Sequence, residues 1–530
     1  MNASRVLWHL MRADFLERVR RYSFLVTLAL AVGLGYLVAA GHVKLWISNA
    51  RGLYNSAWVG LLMAMVTNTF LALAGFYVVK NAVERDRRTG VGEILATTPM
   101  SKPLYTAGKA LSNLAVLLAM VAVMIVMAVV TQFLTGEDTT IHLWDLLSPF
   151  LFLCLPLMAL VAATAVLFET IPLLRSGFGN VVWFFLWAQS MAVGIVTKGG
   201  FDPYGLGTVM GSLQGAVAKA LGREISETDS SFVLGAIDKK SQAGTFRWEG
   251  MDWTADIVLP RFAWILAAAG LALLAALFFD RFDPARGWRR RSRKRVQEAV
   301  AAENGLAVAA AGVPVLPTNL RPLPPGSLRF SFLNVLRAEL RLALKGQRWW
   351  WYAVAAGLVV AGFLAPMEAA RSIVLPLSWI WPVLLWSGLG ARESRHATGE
   401  LIFSSARSVQ RQLPAVWLSG VILAMATGGA LAVRFAMAGD WAGVGGWAVG
   451  AMFIPTLALA LGVWSGTGKA FEAIYLLIWY IGPLNRTAAL DFMGSVPQAA
   501  ASGMPLVFLA VTAALGTAAV LGRRRQLQMR

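Results

Sequence analysis

The run Leu114-Ala-Val-Leu-Leu-Ala-Met-Val-Ala-Val-Met-Ile-Val-Met-Ala-Val-Val130 belongs to a stretch with no charged residue between Lys109 and Glu137. A helix needs about 20 apolar residues to cross the hydrocarbon core of a bilayer, so this run predicts a membrane span. The whole chain has the same character, because 57% of its 530 residues are hydrophobic and only 14% are charged. Soluble domains carry roughly 25% charged residues. The composition excludes a soluble core of this size.

Eleven other apolar runs, separated by short polar segments, repeat this pattern along the chain. We predict an all-α polytopic membrane protein with about 12 transmembrane helices, arranged as two six-helix repeats. The run at 471–484 is short, so one span fewer is the alternative. The first run is expected to be retained as a span rather than cleaved as a signal peptide. The predicted spans are 22–40, 58–79, 104–133, 146–168, 179–197, 259–279, 349–366, 373–391, 413–437, 443–464, 471–484 and 503–521.

Basic residues are distributed unevenly over the predicted loops. If both termini are cytoplasmic, the cytoplasmic segments sum to about +20 and the external segments to about −3. Lys and Arg favour the cytoplasmic loops of membrane proteins. This topology therefore explains the net charge of +19 and makes nucleic-acid binding the weaker explanation. The single cysteine, Cys154, excludes an internal disulfide and a cysteine metal cage.

A basic segment rich in Pro and Ala, at 281–327, divides the chain into two parts. It contains Arg286-Gly-Trp-Arg-Arg-Arg-Ser-Arg-Lys-Arg295, followed by a stretch in which proline recurs. We predict a cytoplasmic linker whose basic cluster rests on anionic membrane lipids. The first six-span half is predicted at 22–280 and the second at 349–522, with a basic cytoplasmic tail at 523–530.

An amphipathic helix is predicted before each half, at 1–21 and at 328–348. Met11-Arg-Ala-Asp14 aligns with Leu336-Arg-Ala-Glu339, and apolar residues recur at i+3 and i+4 around both. Such a stripe favours a helix that lies in the membrane interface. A helix that simply extends into the cytosol is the alternative.

A stronger internal match follows the second span of each half. Arg85-Asp-Arg-Arg-Thr-Gly-Val-Gly-Glu-Ile-Leu-Ala-Thr-Thr98 aligns without gaps with Arg392-Glu-Ser-Arg-His-Ala-Thr-Gly-Glu-Leu-Ile-Phe-Ser-Ser405. An acid in the first turn suits a helix N-terminus, and the aliphatic pair after it predicts an apolar face turned toward a partner. We expect a short helix in each loop that transmits force from a soluble partner. The residues assigned to this coupling are Arg85, Asp86, Gly92, Glu93, Ile94, Leu95, Arg392, Glu393, Gly399, Glu400, Leu401 and Ile402.

In these features the chain resembles the permease subunits of ABC-2 type exporters, relatives of the type V, G-subfamily ABC transporters. That family has a connecting helix, six spans, a coupling helix between spans 2 and 3, and an external segment between spans 5 and 6. The second copy departs from the family loop pattern at His396 and Ala406, which stand where the first copy has Thr89 and Pro99. The resemblance implies a bacterial cytoplasmic (inner) membrane protein that an ATPase binds and drives from the cytosol.

The resemblance further implies two copies of a cytoplasmic ABC ATPase subunit as partners. No cofactor is expected on this chain, and ATP and Mg would bind the ATPase subunits. The cargo would be hydrophobic or amphipathic. The external segment 198–258, with its amphipathic stretch from Gly205 to Leu221, is expected to form a structural cap, with contact to an extracytoplasmic partner as the alternative.

No enzyme is expected in the chain itself. The segment 462–470 resembles a phosphate-binding loop but lacks its first Gly and has Ala470 in place of the Ser or Thr that holds magnesium. The four histidines lie in different segments without ligand spacing. Glu169 and Arg434 lie near span ends and are expected to reach toward water.

The alternative to the ABC permease is an ion-gradient-driven secondary transporter with two six-span halves. Carriers of that kind also bear basic residues between spans 2 and 3. Proton coupling calls for carboxylates well inside the spans, and no carboxylate lies well inside a predicted span. Replacing Gly92-Glu93 and Gly399-Glu400 with Ala is expected to uncouple ATP hydrolysis from export while leaving the fold intact.

Overall fold

A computed structural model describes residues 3–20, 22–47, 50–138, 140–196, 202–221, 232–235, 244–282, 330–396, 398–405 and 407–528. The chain divides into two compact units, at Met1–Ala302 and Glu303–Arg530. The predicted linker at 281–327 lies outside the described residues beyond Phe282.

Unit 1 is built from helices with a small sheet at one end. The helices are α1 Ala3–Val19, α2 Tyr22–Ala39, α3 Ser56–Val66, α4 Ala72–Val79, α5 Ala82–Arg88, α6 Val91–Thr97, α7 Lys102–Thr135, α8 Leu143–Pro149, α9 Leu155–Thr170, α10 Gly177–Val196, α11 Leu206–Leu221 and α12 Ala255–Phe278.

Helix α7 packs against α1, α2, α9 and α12. Helices α9 and α12 meet through small side chains, with Ala159 and Ala163 against Ala268 and Ala272. Small residues allow membrane helices to approach closely and gain van der Waals contact without a hydrophobic driving force. The apolar run that opened the sequence analysis thus lies in a long apolar helix that packs on its neighbours along one side.

Four short strands form the sheet, which the sequence did not predict. They are β1 Lys44–Ile47, β2 Ala50–Gly52, β3 Phe232–Gly235 and β4 Gly244–Phe246, in the order β3-β1-β2-β4. Strand β1 pairs antiparallel with β2 and β3, and β2 pairs parallel with β4. The sheet therefore joins the loop after α2 to the segment between α10 and α12.

Unit 2 is also helical. Its helices are α13 Phe332–Leu344, α14 Trp349–Leu364, α15 Met367–Ala369, α16 Leu375–Ile380, α17 Val383–Trp386, α18 Arg392–His396, α19 Gly399–Phe403, α20 Ser408–Met437, α21 Trp441–Ser465, α22 Lys469–Trp479, α23 Pro497–Ala501 and α24 Met504–Gln528. Helix α21 packs against α20 and α24, and α13 packs against α20.

Several apolar helices are interrupted by single π-helical turns. Two of them, at Phe150–Cys154 and Ala370–Val374, stand just before Pro156 and Pro376. Proline has no N–H and cannot make the regular i to i−4 bond, so a wider turn there accommodates the break without ending the span. Others occur at Thr67–Leu71 and Tyr480–Leu484, and a short 3₁₀ turn lies at Ala488–Leu490.

Within the described ranges, eight helices are long and apolar enough to cross a membrane. They are Ser56–Arg88, Lys102–Thr135, Leu143–Thr170, Ala255–Phe278, Met367–Trp386, Ser408–Met437, Trp441–Ser465 and Met504–Gln528. Shorter apolar helices occupy Thr27–Ala39 and Trp349–Leu364, and α10 and α22 occupy the two remaining predicted runs. The chain is therefore a helical, multi-pass membrane protein. The count of twelve spans in two repeats stays a prediction.

Candidate functional site

The first predicted coupling loop consists of two short helices, α5 and α6, that connect the span ending at α4 to the long span α7. Backbone dihedrals in the left-handed region mark both turns, with φ of 115° at Asn81 and 75° at Gly90. Glycine adopts such an angle at no steric cost. The chain can therefore turn sharply on either side of α5 and lead into α6.

A buried carboxylate fixes the start of α5. Glu169, at the end of α9, accepts hydrogen bonds of 2.7 to 3.0 Å from four consecutive backbone N–H groups, those of residues 81 to 84. These N–H groups are the donors that a helix N-terminus leaves unpaired, and a negative charge there also suits the helix dipole. Glu169 is only 1% exposed. The prediction that it reaches toward water is wrong, because the loop backbone supplies its hydrogen bonds inside the protein.

Arg434 was expected to reach toward water as well. Its side chain is half-buried, and its guanidinium donates to the backbone carbonyl oxygens of Gly362 and Ala365, at 2.8 and 2.7 Å, at the end of α14. Cations stabilise helix C-termini, whose last carbonyls have no partner inside the helix.

An ion network joins the first loop to the amphipathic helix α1 and to α7. Lys109 Nζ lies 2.6 Å from carboxylate oxygens of both Asp14 and Asp86. Arg85 donates to Asp14 at 2.7 Å and also pairs with Glu17 of the same helix. The Tyr105 hydroxyl donates to Asp86 at 2.8 Å. Three elements are thereby tied by charge-assisted hydrogen bonds, which are stronger than neutral ones.

Further contacts hold the first loop to the end of α12. Arg87 makes two bonds of 2.9 Å to Asp280. Lys102 Nζ donates to the Phe279 carbonyl at 2.6 Å, and Arg281 donates to the Thr98 carbonyl at 2.6 Å. The loop is therefore fixed on several sides by the helices of unit 1.

The second loop has the same plan. It contains α18 and α19, and it follows a turn at Gly390 with φ of 75°. Arg392 donates to Glu339 of α13 at 3.1 Å. Gln412 donates to Glu393 at 2.9 Å, and Arg523 of α24 pairs with Glu393 at 3.2 Å. An amphipathic helix, a loop and two long helices are again connected by buried polar groups.

The two networks correspond residue by residue for most of their members. The acid on the amphipathic helix is Asp14 in one unit and Glu339 in the other, within the motif that the sequence already paired. Arg85 and Asp86 correspond to Arg392 and Glu393, and the same offset of 307 places Tyr105 opposite Gln412. Two members differ. The second cation is Lys109 of α7 in one unit and Arg523 of α24 in the other, and Glu17 of the first network has Leu342 at the corresponding position.

The four residues from Gly92 to Leu95 match the four from Gly399 to Ile402 in their exposure. Gly92 and Gly399 are buried, Glu93 and Glu400 are exposed, and the next residues, Ile94 and Leu401, are exposed by 68% and 78%. The residues after them, Leu95 and Ile402, are half-buried, and Leu95 packs on the cluster formed by Val83, Tyr105 and Phe279. Within these four residues each loop therefore presents one acid and one aliphatic side chain outward, and the first loop additionally exposes Val91 by 43%.

Eight of the twelve predicted coupling residues thus fall into two groups, and the other four are the buried glycines and the half-buried aliphatic residues. Arg85, Asp86, Arg392 and Glu393 hold the loops from inside, whereas Glu93, Ile94, Glu400 and Leu401 face outward. Gly92 is closely packed, because a Cβ atom there would lie 2.6 Å from the Phe282 ring. A replacement of Gly92 by Ala therefore requires the Phe282 ring to shift, and the expectation that the Ala variant keeps its fold stays a prediction.

Sequence reasoning missed several residues of these networks. Lys109 was given no partner and Arg523 was assigned to the basic tail, yet they are 1% and 2% exposed. A lone charge inside an apolar run, as at Lys109, is a usable signal, since such a charge must find a partner. Nothing local to Arg523 indicates its partner, which lies 130 residues away along the chain.

The external segment is fixed to the spans by its own buried pair. Asp202 accepts hydrogen bonds from the backbone N–H groups of Leu206 and Gly207 at the start of α11, at 3.0 and 2.8 Å. Arg261 of α12 donates to the Asp202 carbonyl and to the Thr208 hydroxyl. Residues 222–231 and 236–243 of this segment lie outside the described residues.

The described part of the chain holds no group of three or more His, Cys, Asp or Glu side chains arranged to bind a metal ion. The phosphate-loop lookalike at 462–470 forms the turn between α21 and α22, where Gly466 ends the helix with φ of 66°. A phosphate-binding loop instead connects a strand to a helix.

Comparison of the chain with protein-family models, with curated proteins and with solved structures finds no match.

Proposed function

We propose that the chain is the membrane permease of an ABC-2 type transporter, with two six-span halves and both termini in the cytoplasm of a bacterium. It would export a hydrophobic or amphipathic compound. Two copies of a separate ATPase subunit would bind one chain, each at one coupling loop, and would supply ATP and magnesium chemistry. The resemblance of the loops to the family pattern motivates this proposal.

The observation that supports it best is the paired exposure pattern of the loops. A loop that only anchored topology would need basic residues and no fixed shape. Each loop instead has a buried Gly, an outward acid and an outward aliphatic side chain, and is held by a buried ion network. Exposed apolar side chains on a stiff support suit contact with a partner.

Such a support also suits a transporter driven by a partner. Nucleotide-driven closure of the ATPase subunits would displace the loops, and their attachment to α7, α12, α20 and α24 would carry that displacement into the spans. A mechanism of this kind requires two states that nucleotide biases differently. Asp14 of α1 would transmit the displacement of the first loop to its amphipathic helix, and Glu339 of α13 would do so for the second.

The experiment replaces the two outward aliphatic residues, as Ile94→Asp with Leu401→Asp. We expect the variant to fold normally and to lose co-purification of the ATPase subunit and nucleotide-driven transport, because each charge would be desolvated at the contact. Leu173→Asp, which alters a residue exposed by 67% in the turn after α9, is the control. Transport that persists in the double variant, or that depends on the proton gradient and not on ATP, would contradict the proposal.

A further inference from the structure

We propose that the outward face of α13 binds the headgroup of an anionic phospholipid, such as phosphatidylglycerol, through a row of basic side chains. This site is separate from the coupling loops. It requires only that α13 lie at the membrane surface.

The packing of α13 fixes which of its faces is outward. Leu336, Glu339 and Ala343 are buried, and Glu339 is bonded to Arg392 and Gln412. In an α-helix, residues that are three or four positions apart share a face. The buried residues follow this spacing, so the helix cannot rotate without breaking those bonds.

The opposite face of α13 carries the basic row. A groove of about 640 Å³ there is lined by Asn334, Arg337, Ala338, Arg341, Leu342 and Lys345. Arg337, Arg341 and Lys345 are four residues apart and exposed, and within the described residues none of their side chains has an ion-pair partner. No acid lies in the groove. Guanidinium groups form two parallel hydrogen bonds to a phosphate, and the groove's chemistry therefore complements an anionic headgroup.

The neighbouring residues place this groove at headgroup depth. The span α14 begins four residues after Lys345, and its first residue, Trp349, is 80% exposed. The hydroxyl of Tyr352 donates to the Leu344 carbonyl at 3.2 Å and so links α13 to the span. Trp and Tyr are enriched at the level of the headgroups, and the exposed Leu333 and Leu342 can enter the acyl boundary beside the basic row.

The corresponding helix of unit 1 lacks a complete row. The alignment of Asp14 with Glu339 places Leu16 and Glu17 at the positions of Arg341 and Leu342. Glu17 is partly exposed and adds a negative charge. We therefore assign the lipid site to α13 alone.

The test uses the purified full chain without any ATPase subunit, so its result does not depend on the proposed transport function. Bound phosphatidylglycerol and phosphatidylcholine are counted by native mass spectrometry during titration at low salt. For Arg337→Gln with Arg341→Gln we expect about 25-fold weaker binding of phosphatidylglycerol, since each basic side chain near an anionic surface contributes about fivefold. Phosphatidylcholine binding should not change.

Two further variants make the test specific. Arg337→Lys with Arg341→Lys keeps the charge and should retain most of the binding. Arg524→Gln with Arg525→Gln removes the same charge from exposed positions on α24 and should bind phosphatidylglycerol like the unaltered chain. Equal binding by the Arg337 and Arg341 double variant, equal loss in the α24 control, or equal retention of both lipids would overturn the proposal.

Discussion

Glu169 shows how a single buried side chain can determine the shape of a loop. Its two carboxylate oxygens accept four backbone N–H groups of residues 81 to 84, so both oxygens are fully used. A carboxylate at this place satisfies donors that would otherwise be buried without partners, at a cost of about 1–3 kcal/mol each.

Glu169→Gln is predicted to loosen the first coupling loop. The amide keeps one oxygen but turns an NH₂ group toward two N–H donors, so we expect a loss of about 2–3 kcal/mol in local stability. Faster proteolysis within residues 80–102 and a lower unfolding temperature in detergent would measure it. Glu84→Gln, which alters only an exposed pair with Arg88, should change stability by less than about 0.5 kcal/mol. Equal behaviour of the two variants would contradict this role of Glu169.

Glu339 gives a prediction for pH. Burial raises the pKa of Glu339 above its ordinary value of 4.5, although Arg392 opposes the shift. The folded protein therefore holds this proton more tightly than the unfolded chain does. Its contribution to stability is greatest at low pH and declines as the pH rises from about 4.5 through the raised pKa.

The measurement compares the unfolding temperature of the unaltered chain with that of Glu339→Gln across this pH range. The Gln side chain does not titrate, so the unaltered chain should lose stability relative to the variant as the pH rises. Glu400→Gln, at an exposed position, is the control and should show a constant difference. A difference between the chain and Glu339→Gln that grows in favour of Glu339 at higher pH would contradict the expected sign.

At the level of elements, the ion networks decide how α1, α7 and the first loop hold together. Lys109 stands between Asp14 and Asp86. Removing this cation leaves Asp14 and Asp86 close together, with Arg85 as their remaining cationic partner. Taking one member out of a buried ion network costs far more than the pair itself contributes.

Lys109→Met is predicted to destabilise unit 1 by about 3–5 kcal/mol. Adding Asp14→Asn and Asp86→Asn removes the stranded charges and should recover part of that loss, because the interaction is shared within one network. Thermal unfolding of the single and triple variants tests this. If the triple variant is less stable than Lys109→Met by the sum of separate effects, the three residues do not form one network.

How far the sequence could predict these elements depends on the distance between partners along the chain. The two coupling loops and the two amphipathic helices could be recognised, because the second copy of each repeats a local pattern of residues from the first. The sheet could not, because β1 is four residues long and pairs with a strand about 190 residues later. Short strands whose partners lie so far apart leave no periodic signal.

The candidate site follows the same rule. The outward residues Glu93, Ile94, Glu400 and Leu401 could be predicted from the repeated Gly-Glu-aliphatic pattern. The buried partners could not be identified, because Lys109, Glu169 and Arg523 come from other helices and only packing brings them to the loops. Sequence reasoning also assigned Leu95 and Ile402 to the outward face, yet both are half-buried and Leu95 packs inward. The coupling role of the outward residues stays a prediction.

At the scale of the whole molecule, the apolar composition and the eight long apolar helices agree on a multi-pass membrane protein. Charge distribution predicts which ends of these helices face the cytoplasm. Both coupling loops belong to segments that this topology places in the cytoplasm, so the sidedness of two residues, one in each unit, tests the topology and the proposed function together.

The most direct measurement introduces Glu93→Cys and Glu400→Cys separately. The single native cysteine, Cys154, is fully buried, so each new thiol would be the accessible one. A membrane-impermeant maleimide should label both positions in inverted membrane vesicles and neither in intact cells, and a bound ATPase subunit should protect both. Labelling of either position in intact cells, or labelling that the ATPase subunit leaves unchanged, would contradict the account.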